Sequence, residues 1–216
     1  MRRTRIKICG ITRIEDGLAA AHSGADAIGL NFWPGTPRVV APAHARELAR
    51  AMPPFVTIVG LFVDATREEV SDVLDAVPLD LLQFHGHEPP DFCRSFGRPY
   101  LKAIAVGASD DMLESVSPYD DAFGLLFDAP PLDGRPGGTG RTFDWGRLPA
   151  TLHRPLVLSG GLDAGNVANA IRTVRPWAVD VSSGVEASDA KGRPRAGIKD
   201  AAKIAAFVEE VRHADV

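Results

Sequence analysis

Runs of β-forming residues alternate along the chain with stretches whose apolar positions recur at helical spacing, about one such pair per 27 residues. Eight pairs result. Strands are expected near 5–9, 27–32, 56–63, 80–85, 100–105, 123–128, 155–159 and 178–182, and helices near 15–23, 42–51, 66–76, 89–95, 110–116, 143–148, 164–173 and 199–213. Five of the strands run into a polar or glycine-rich cluster: Lys7-Ile8-Cys9-Gly10, Gln83-Phe84-His85-Gly86, Phe127-Asp128, Ser159-Gly160-Gly161 and Asp180-Val181-Ser182-Ser183-Gly184. Reactive groups at the C-terminal ends of many parallel strands predict an α/β fold, a single (β/α)8 (TIM) barrel, with residues 1–216 as one catalytic domain.

Composition narrows the partners. The 216 residues suit one barrel; 45% hydrophobic and 24% charged residues are globular values. A formal charge of −4 gives no electrostatic reason to expect nucleic acid or an anionic membrane, so a small-molecule substrate is expected. The basic start Met1-Arg2-Arg3-Thr4-Arg5 leads into an apolar stretch interrupted by Lys7 and ended by Cys9-Gly10, which does not read as an export signal. No apolar run approaches the ~20 residues of a membrane span. Cys9 and Cys93 form neither a disulfide framework nor a metal-type spacing, which points to free thiols and a cytoplasmic setting.

Alternation along each strand then sorts the polar residues. In a barrel strand one parity faces the helices and the other faces the interior or, at the strand's end, the mouth. Ile6 and Ile8 take the helix side, which turns Lys7 and Cys9 inward; Leu125 and Phe127 do the same for Asp128, and Val179 and Val181 for Asp180 and Ser182. Leu81, Gln83 and His85 share one face, and Lys102 is expected inward. Lys7, Lys102 and Asp180 serve equally as a buried charge network or as direct participants. The turns Ser159-Gly160-Gly161 and Ser182-Ser183-Gly184 close adjacent strands where barrels hold phosphate, with Gly160, Gly161, Ser183 and Gly184 offering backbone N–H groups. The longest unpatterned stretch, Ala129 to Thr142, reads as an active-site loop or a disordered segment. Its Gly137-Gly138-Thr139-Gly140 lacks the lysine of a nucleotide-binding loop and is placed to close over a ligand. His85 and His87 are spaced like a metal pair, but no further ligands accompany them, so no metal site is expected. Cys93, beside Phe92 and Phe96 on a helix, reads as core.

Together these motifs carry a resemblance. Lys7-Ile8-Cys9-Gly10-Ile11-Thr12, Thr36-Pro37-Arg38, Gln83-Phe84-His85-Gly86, Gly137-Gly138-Thr139-Gly140 with Phe143-Asp144-Trp145, Ser159-Gly160-Gly161-Leu162 with Asn166-Val167, Asp180 to Glu186 and Gly197-Ile198-Lys199-Asp200 occur in the order seen in phosphoribosylanthranilate isomerases. The chain departs in having Thr36 and Phe84 where that family more often has serine and leucine. The resemblance implies an Amadori rearrangement in tryptophan biosynthesis, with phosphoribosylanthranilate as substrate and no cofactor. It makes Cys9 the general base and Asp128 the general acid. Arg38 is expected to bind the anthranilate carboxylate, entering the mouth from the side away from the phosphate turns. His85 lines the substrate, while Lys7, Gln83, Gly138 and Asp180 support it. The protein is expected as a monomer or homodimer. A sugar-phosphate isomerase with two catalytic aspartates would want a carboxylate where Cys9 stands, and a silent phosphate-binding barrel would not need Cys9, Asp128 and Arg38 together.

Overall fold

A computed structural model describes residues 3–107, 112–130, 140–149 and 151–215. Eight parallel strands close into a barrel in chain order: β1 (Arg5–Cys9), β2 (Ala27–Asn31), β3 (Thr57–Phe62), β4 (Leu81–Phe84), β5 (Tyr100–Ala105), β6 (Gly124–Asp128), β7 (Leu156–Leu158) and β8 (Ala178–Val181). Outside them lie α1 (Ile14–Ser23), α2 (Pro42–Ala51), α3 (Arg67–Ala76), α4 (Pro90–Arg94), α5 (Met112–Val116), α6 (Val167–Val174) and α7 (Ala201–Ala214). Among the described residues no helix is long and apolar enough to cross a membrane.

The helices follow local chemistry. Thr66 and Glu69 form a reciprocal capping box at the start of α3, and the Asp200 carboxylate accepts from the N–H groups of Ala202 and Lys203 to open α7. Gly24, at φ +101°, ends α1 in a left-handed conformation that a β-carbon would oppose. On α7 the spacing Ile204, Phe207, Val208, Val211 places four buried apolar side chains on one stripe against the sheet. Burial of each stabilises by about 1.5–3 kcal/mol.

The sheet divides the core in two. Ile6, Ile8, Ile28, Leu30, Leu82, Phe84, Tyr100, Ile104, Leu125, Phe127, Val179 and Val181 point to the helices, whereas Leu101, Ala103, Leu126, Val157 and Ala178, with Leu81 against them, fill the barrel's lower interior. The expected parity of β1, β4, β6 and β8 therefore holds.

Two expectations are corrected and one element is added. Lys102 shares the parity of Tyr100 and Ile104 and faces the helix layer, where Nζ donates to Glu88 Oε2 at 3.0 Å and to the carbonyl of Gly86 at 2.6 Å. Both faces of a barrel strand are buried, so alternation could not decide which way Leu101-Lys102-Ala103 turned. The helix expected over 143–148 is only a 3₁₀ turn, Trp145–Arg147, in which Gly146 and the following Pro149 oppose longer helix. Phe143, Trp145, Leu148 and Leu152 pack on the core there instead. An unexpected antiparallel hairpin, β9 (Glu186–Ser188) with β10 (Pro194–Lys199), lies between β8 and α7.

Candidate active site

Cys9 ends β1 opposite Gly29 of β2, and the absence of a side chain at Gly29 makes room for it: a β-carbon there would lie 2.8 Å from Cys9 Sγ and 3.2 Å from Lys7 Cε. Two residues deeper, Lys7 pairs in register with Asp180 of β8, Nζ to Oδ1 at 2.7 Å, both almost fully buried. The other Asp180 oxygen accepts from Ser159 Oγ at 3.3 Å, which ties this pair to the first residue of the β7 turn. Burial pulls the Lys7 ammonium down, but Asp180 and Cys9 outweigh it and raise its pKa to about 12. Burial pushes the Cys9 thiol up; Lys7 opposes this, Asp180 adds to it and Lys199 opposes it.

Across the mouth, Asp128 ends β6, also buried. Its Oδ1 accepts from the N–H of Ala129 at 2.7 Å and its Oδ2 lies 3.3 Å from His85 Nε2. Gln83, fully buried, sets its amide nitrogen 3.0 Å from His85 Nδ1. With that NH2 donating, the neutral ring carries its proton on Nε2, aimed at Asp128. Gln83, His85 and Asp128 thus form one chain of contacts. His87 is turned outward toward Asp64, so the two histidines do not converge. Among the described residues no cluster of three or more His, Cys, Asp or Glu side chains is arranged to hold a metal ion.

The two glycine turns flank β7 and β8. Gly160 and Gly161 have φ of +86° and +60°, and a β-carbon on Gly161 would collide with the backbone of Arg141 and Thr142. The far end of the long loop therefore passes directly over this turn. A β-carbon on Gly184 would collide with the carbonyl of Leu162. Among the described residues no hydrogen bond engages the N–H of Gly160 or Gly161, while Asn166 at the start of α6 donates to the Gly161 carbonyl at 2.8 Å. Those two donors are available to an anion. Gly138 lies outside the described residues.

Arg38 follows β2, and its stem crosses Gly10 to bring the guanidinium onto Glu186: Nε donates to Oε1 at 2.7 Å and Nη2 to Oε2 at 3.0 Å. It therefore reaches the mouth beside the β8 turn, two residues past Gly184, and not from the opposite side as expected. Glu186 also accepts from the N–H of Gly197 at 2.8 Å, and Lys199 Nζ lies 3.5 Å from its Oε1. Sequence reasoning missed the roles of Gly29, Glu186, Lys199 and Glu88. A glycine inside a strand and charged residues inside the motifs Asp180 to Glu186 and Gly197 to Asp200 were the signals available.

This mouth and barrel define the (β/α)8-barrel class of enzymes, with a thiol and a carboxyl at the C-terminal ends of β1 and β6 and two glycine-rich turns after β7 and β8. Within that class the comparisons are specific. The model of the N-(5'phosphoribosyl)anthranilate (PRA) isomerase family matches residues 6–210, and the chain belongs to this family, isomerases of tryptophan biosynthesis. It is 58% identical over 212 residues to N-(5'-phosphoribosyl)anthranilate isomerase of Pseudomonas paraeruginosa (strain DSM 24068 / PA7), covering 98% of this chain and 97% of that protein. The crystal structure of phosphoribosyl anthranilate isomerase from Thermus thermophilus superposes with a TM-score of 0.84 at 34% identity, covering 97% of this chain and 99% of the other. A phosphoribosyl anthranilate isomerase in complex with reduced 1-(o-carboxyphenylamino)-1-deoxyribulose 5-phosphate gives 0.80 at 39% identity, with the same coverage.

Proposed function

We propose that the protein converts N-(5'-phosphoribosyl)anthranilate to 1-(o-carboxyphenylamino)-1-deoxyribulose 5-phosphate, with Cys9 as general base and Asp128 as general acid. Protonated Asp128 gives its proton to the furanose ring oxygen, and the C1–O bond breaks to leave a Schiff base between C1 and the anthranilate nitrogen. The Cys9 thiolate then removes the C2 proton, and the electron pair moves through C1 to nitrogen as an enolamine. Tautomerisation of the enolamine yields the ketone at C2. The phosphate lies against the turns of Gly160, Gly161, Ser183 and Gly184, and the carboxylate lies against Arg38. His85 and Gln83 orient Asp128, and Lys7 and Asp180 set the charge beneath Cys9.

The observation that carries this reading is the placement of a buried thiol and a buried, histidine-held carboxyl at the C-terminal ends of β1 and β6. Ring opening and C2 deprotonation each have a side chain to perform them, so the reaction is assigned no cofactor. The free thiols suit a cytoplasmic setting and the one closed barrel a single domain over residues 1–216, acting as monomer or homodimer. Fluorescence decay of phosphoribosylanthranilate on addition of the protein tests the activity. Cys9→Ala and Asp128→Asn should each lower kcat by roughly 10²–10⁴-fold with unchanged circular dichroism. Retention of more than about a third of kcat by either variant would remove that residue from its role.

A further inference from the structure

Among the described residues, the charges around Arg38 do not balance. Arg38 and Lys199 are two cations that share the carboxylate of Glu186, whose side chain is 1% exposed, while that of Lys199 is fully buried. Lys199 Nζ donates to the Ser182 carbonyl at 2.9 Å and to Ser182 Oγ at 3.3 Å, so it stands between the end of β8 and the hairpin. Among the described residues, its neighbours come from other elements too. Cys9 of β1 acts on it through space, Asp16 of α1 accepts from its backbone N–H at 2.9 Å, and Arg13 reaches its carbonyl at 3.5 Å. Asp16 is itself held by Arg13, and Lys203 of α7 donates to the Glu186 carbonyl at 2.8 Å. The Glu186 bond takes Arg38 by Nε and one Nη2 proton. Among the described residues, no further bond engages the rest of its outer edge.

We propose that Glu186 and Lys199, both carried by the β9–β10 hairpin, are positioning residues that give the active site its preference for a carboxylated substrate. Glu186 locks the guanidinium so that its remaining N–H edge faces the mouth, and Lys199 leaves the cluster one positive charge in excess, which an incoming carboxylate neutralises. A planar fork held on one edge by a carboxylate is preorganised to bind a second on the other. Glu186 alone would leave the pair with Arg38 neutral; the buried ammonium makes the cluster attractive to an anion. Burial brings the Lys199 pKa down to about 8; Glu186 and Cys9 oppose this and Arg38 adds to it, so the excess charge is lost just above neutral pH. An added carboxylate favours the charged form, so binding of the carboxylated substrate is strongest below pH 8 and weakens above it.

The proposal rests on Arg38 being the carboxylate's partner, and two comparisons separate the two ideas. The first sets phosphoribosylanthranilate against phosphoribosylaniline, which lacks the carboxylate, in wild type, Arg38→Ala, Glu186→Gln and the double variant. Glu186→Gln should raise KM for the carboxylated substrate about tenfold, leave phosphoribosylaniline unaffected, and add nothing once Arg38 is gone. Equal losses on both substrates, or full additivity with Arg38→Ala, would overturn it. Arg38→Ala without discrimination would overturn the carboxylate reading and this proposal together, whereas discrimination by Arg38 without coupling to Glu186 overturns the proposal alone. The second comparison needs no variant. The ratio of the two KM values in wild type should rise severalfold between about pH 7 and about pH 9.5, because effects on Cys9 and the phosphate divide out. In Lys199→Met the ratio should stay flat. A flat ratio in wild type would overturn the assignment to Lys199.

Discussion

A thiol can act as a base only as thiolate, and the immediate neighbours of Cys9 pull its proton affinity both ways. Burial disfavours the anion, Lys7 favours it, and Asp180 disfavours it. Lys7 stays charged well above neutrality because Asp180 holds it. Removing the cation in Lys7→Met should push the thiol still higher and move the rising limb of the kcat/KM–pH profile to more alkaline pH. Asp180→Asn removes the opposing charge and should move the same limb toward neutral pH. A profile that shifts the same way in both variants, or in neither, would deny Lys7 and Asp180 this tuning. Cys93 provides a contrast: fully buried against Phe92 and Phe96, it is lifted by burial to about 12. Iodoacetamide should therefore leave Cys93 unmodified in the folded enzyme, and mass spectrometry of the tryptic peptides reads this directly.

At the scale of elements, loops are held to the barrel by buried charge. Glu88 accepts from the N–H groups of Asp64 and Gly86 and from Lys102, while its carbonyl accepts from Tyr119 Oη at 2.9 Å. This knot joins the ends of β3 and β4 to α4 and the segment after α5, and His85 sits immediately before it. Lys102→Met strands a buried carboxylate and should cost about 3–5 kcal/mol in denaturant unfolding. Adding Glu88→Gln should return part of that loss, since the unpaired charge is gone. If the double variant were the sum of two large losses, the pair's coupling would be absent. The hairpin follows similar logic from acid pH. Burial opposes ionisation of Glu186, but the Arg38 and Lys199 charges and the Gly197 N–H outweigh it and hold its pKa below the usual carboxylate range. Its folded pKa is depressed, so this stabilisation is fully present above about pH 4.5 and is lost as pH falls through the folded value. Glu186→Gln should flatten the acid limb of the stability–pH curve.

Taken as a whole, the site draws on β1, the loop after β2, β4, β6, β7, β8 and the hairpin, spread from Lys7 to Lys199. An unfolded chain keeps none of that geometry. Reduced product at about 100 times its Kd should therefore stabilise the protein by about 2.7 kcal/mol, which for a chain of this size is roughly 5–11 °C in Tm. Differential scanning fluorimetry measures it, and an unshifted Tm would mean that the ligand does not select the folded mouth.

Much of this was legible before any fold was considered. Eight strands, the inward parity of Lys7, Cys9, Asp128 and Asp180, and the two glycine turns follow from alternation and strand-end composition, which are properties of five or six adjacent residues. That Lys7 and Asp180 would need partners was legible too, since a buried charge is costly unless an opposite one meets it. The rest depended on distance. Arg38 and Glu186 meet across 148 positions and Lys7 and Asp180 across 173. Local pattern could show that such residues are polar and buried, but not which partner each takes. Lys102 turned outward because both faces of its strand are dry and only the position of Glu88 decided between them. Gly29 declared its purpose only when Cys9 lay opposite it. Sequence alone revealed the barrel and the thiol and carboxyl at its mouth, because periodicity and turn chemistry are local. Tertiary structure alone decided the charge partners of those groups, because a buried ion is stable only where another element closes the circuit.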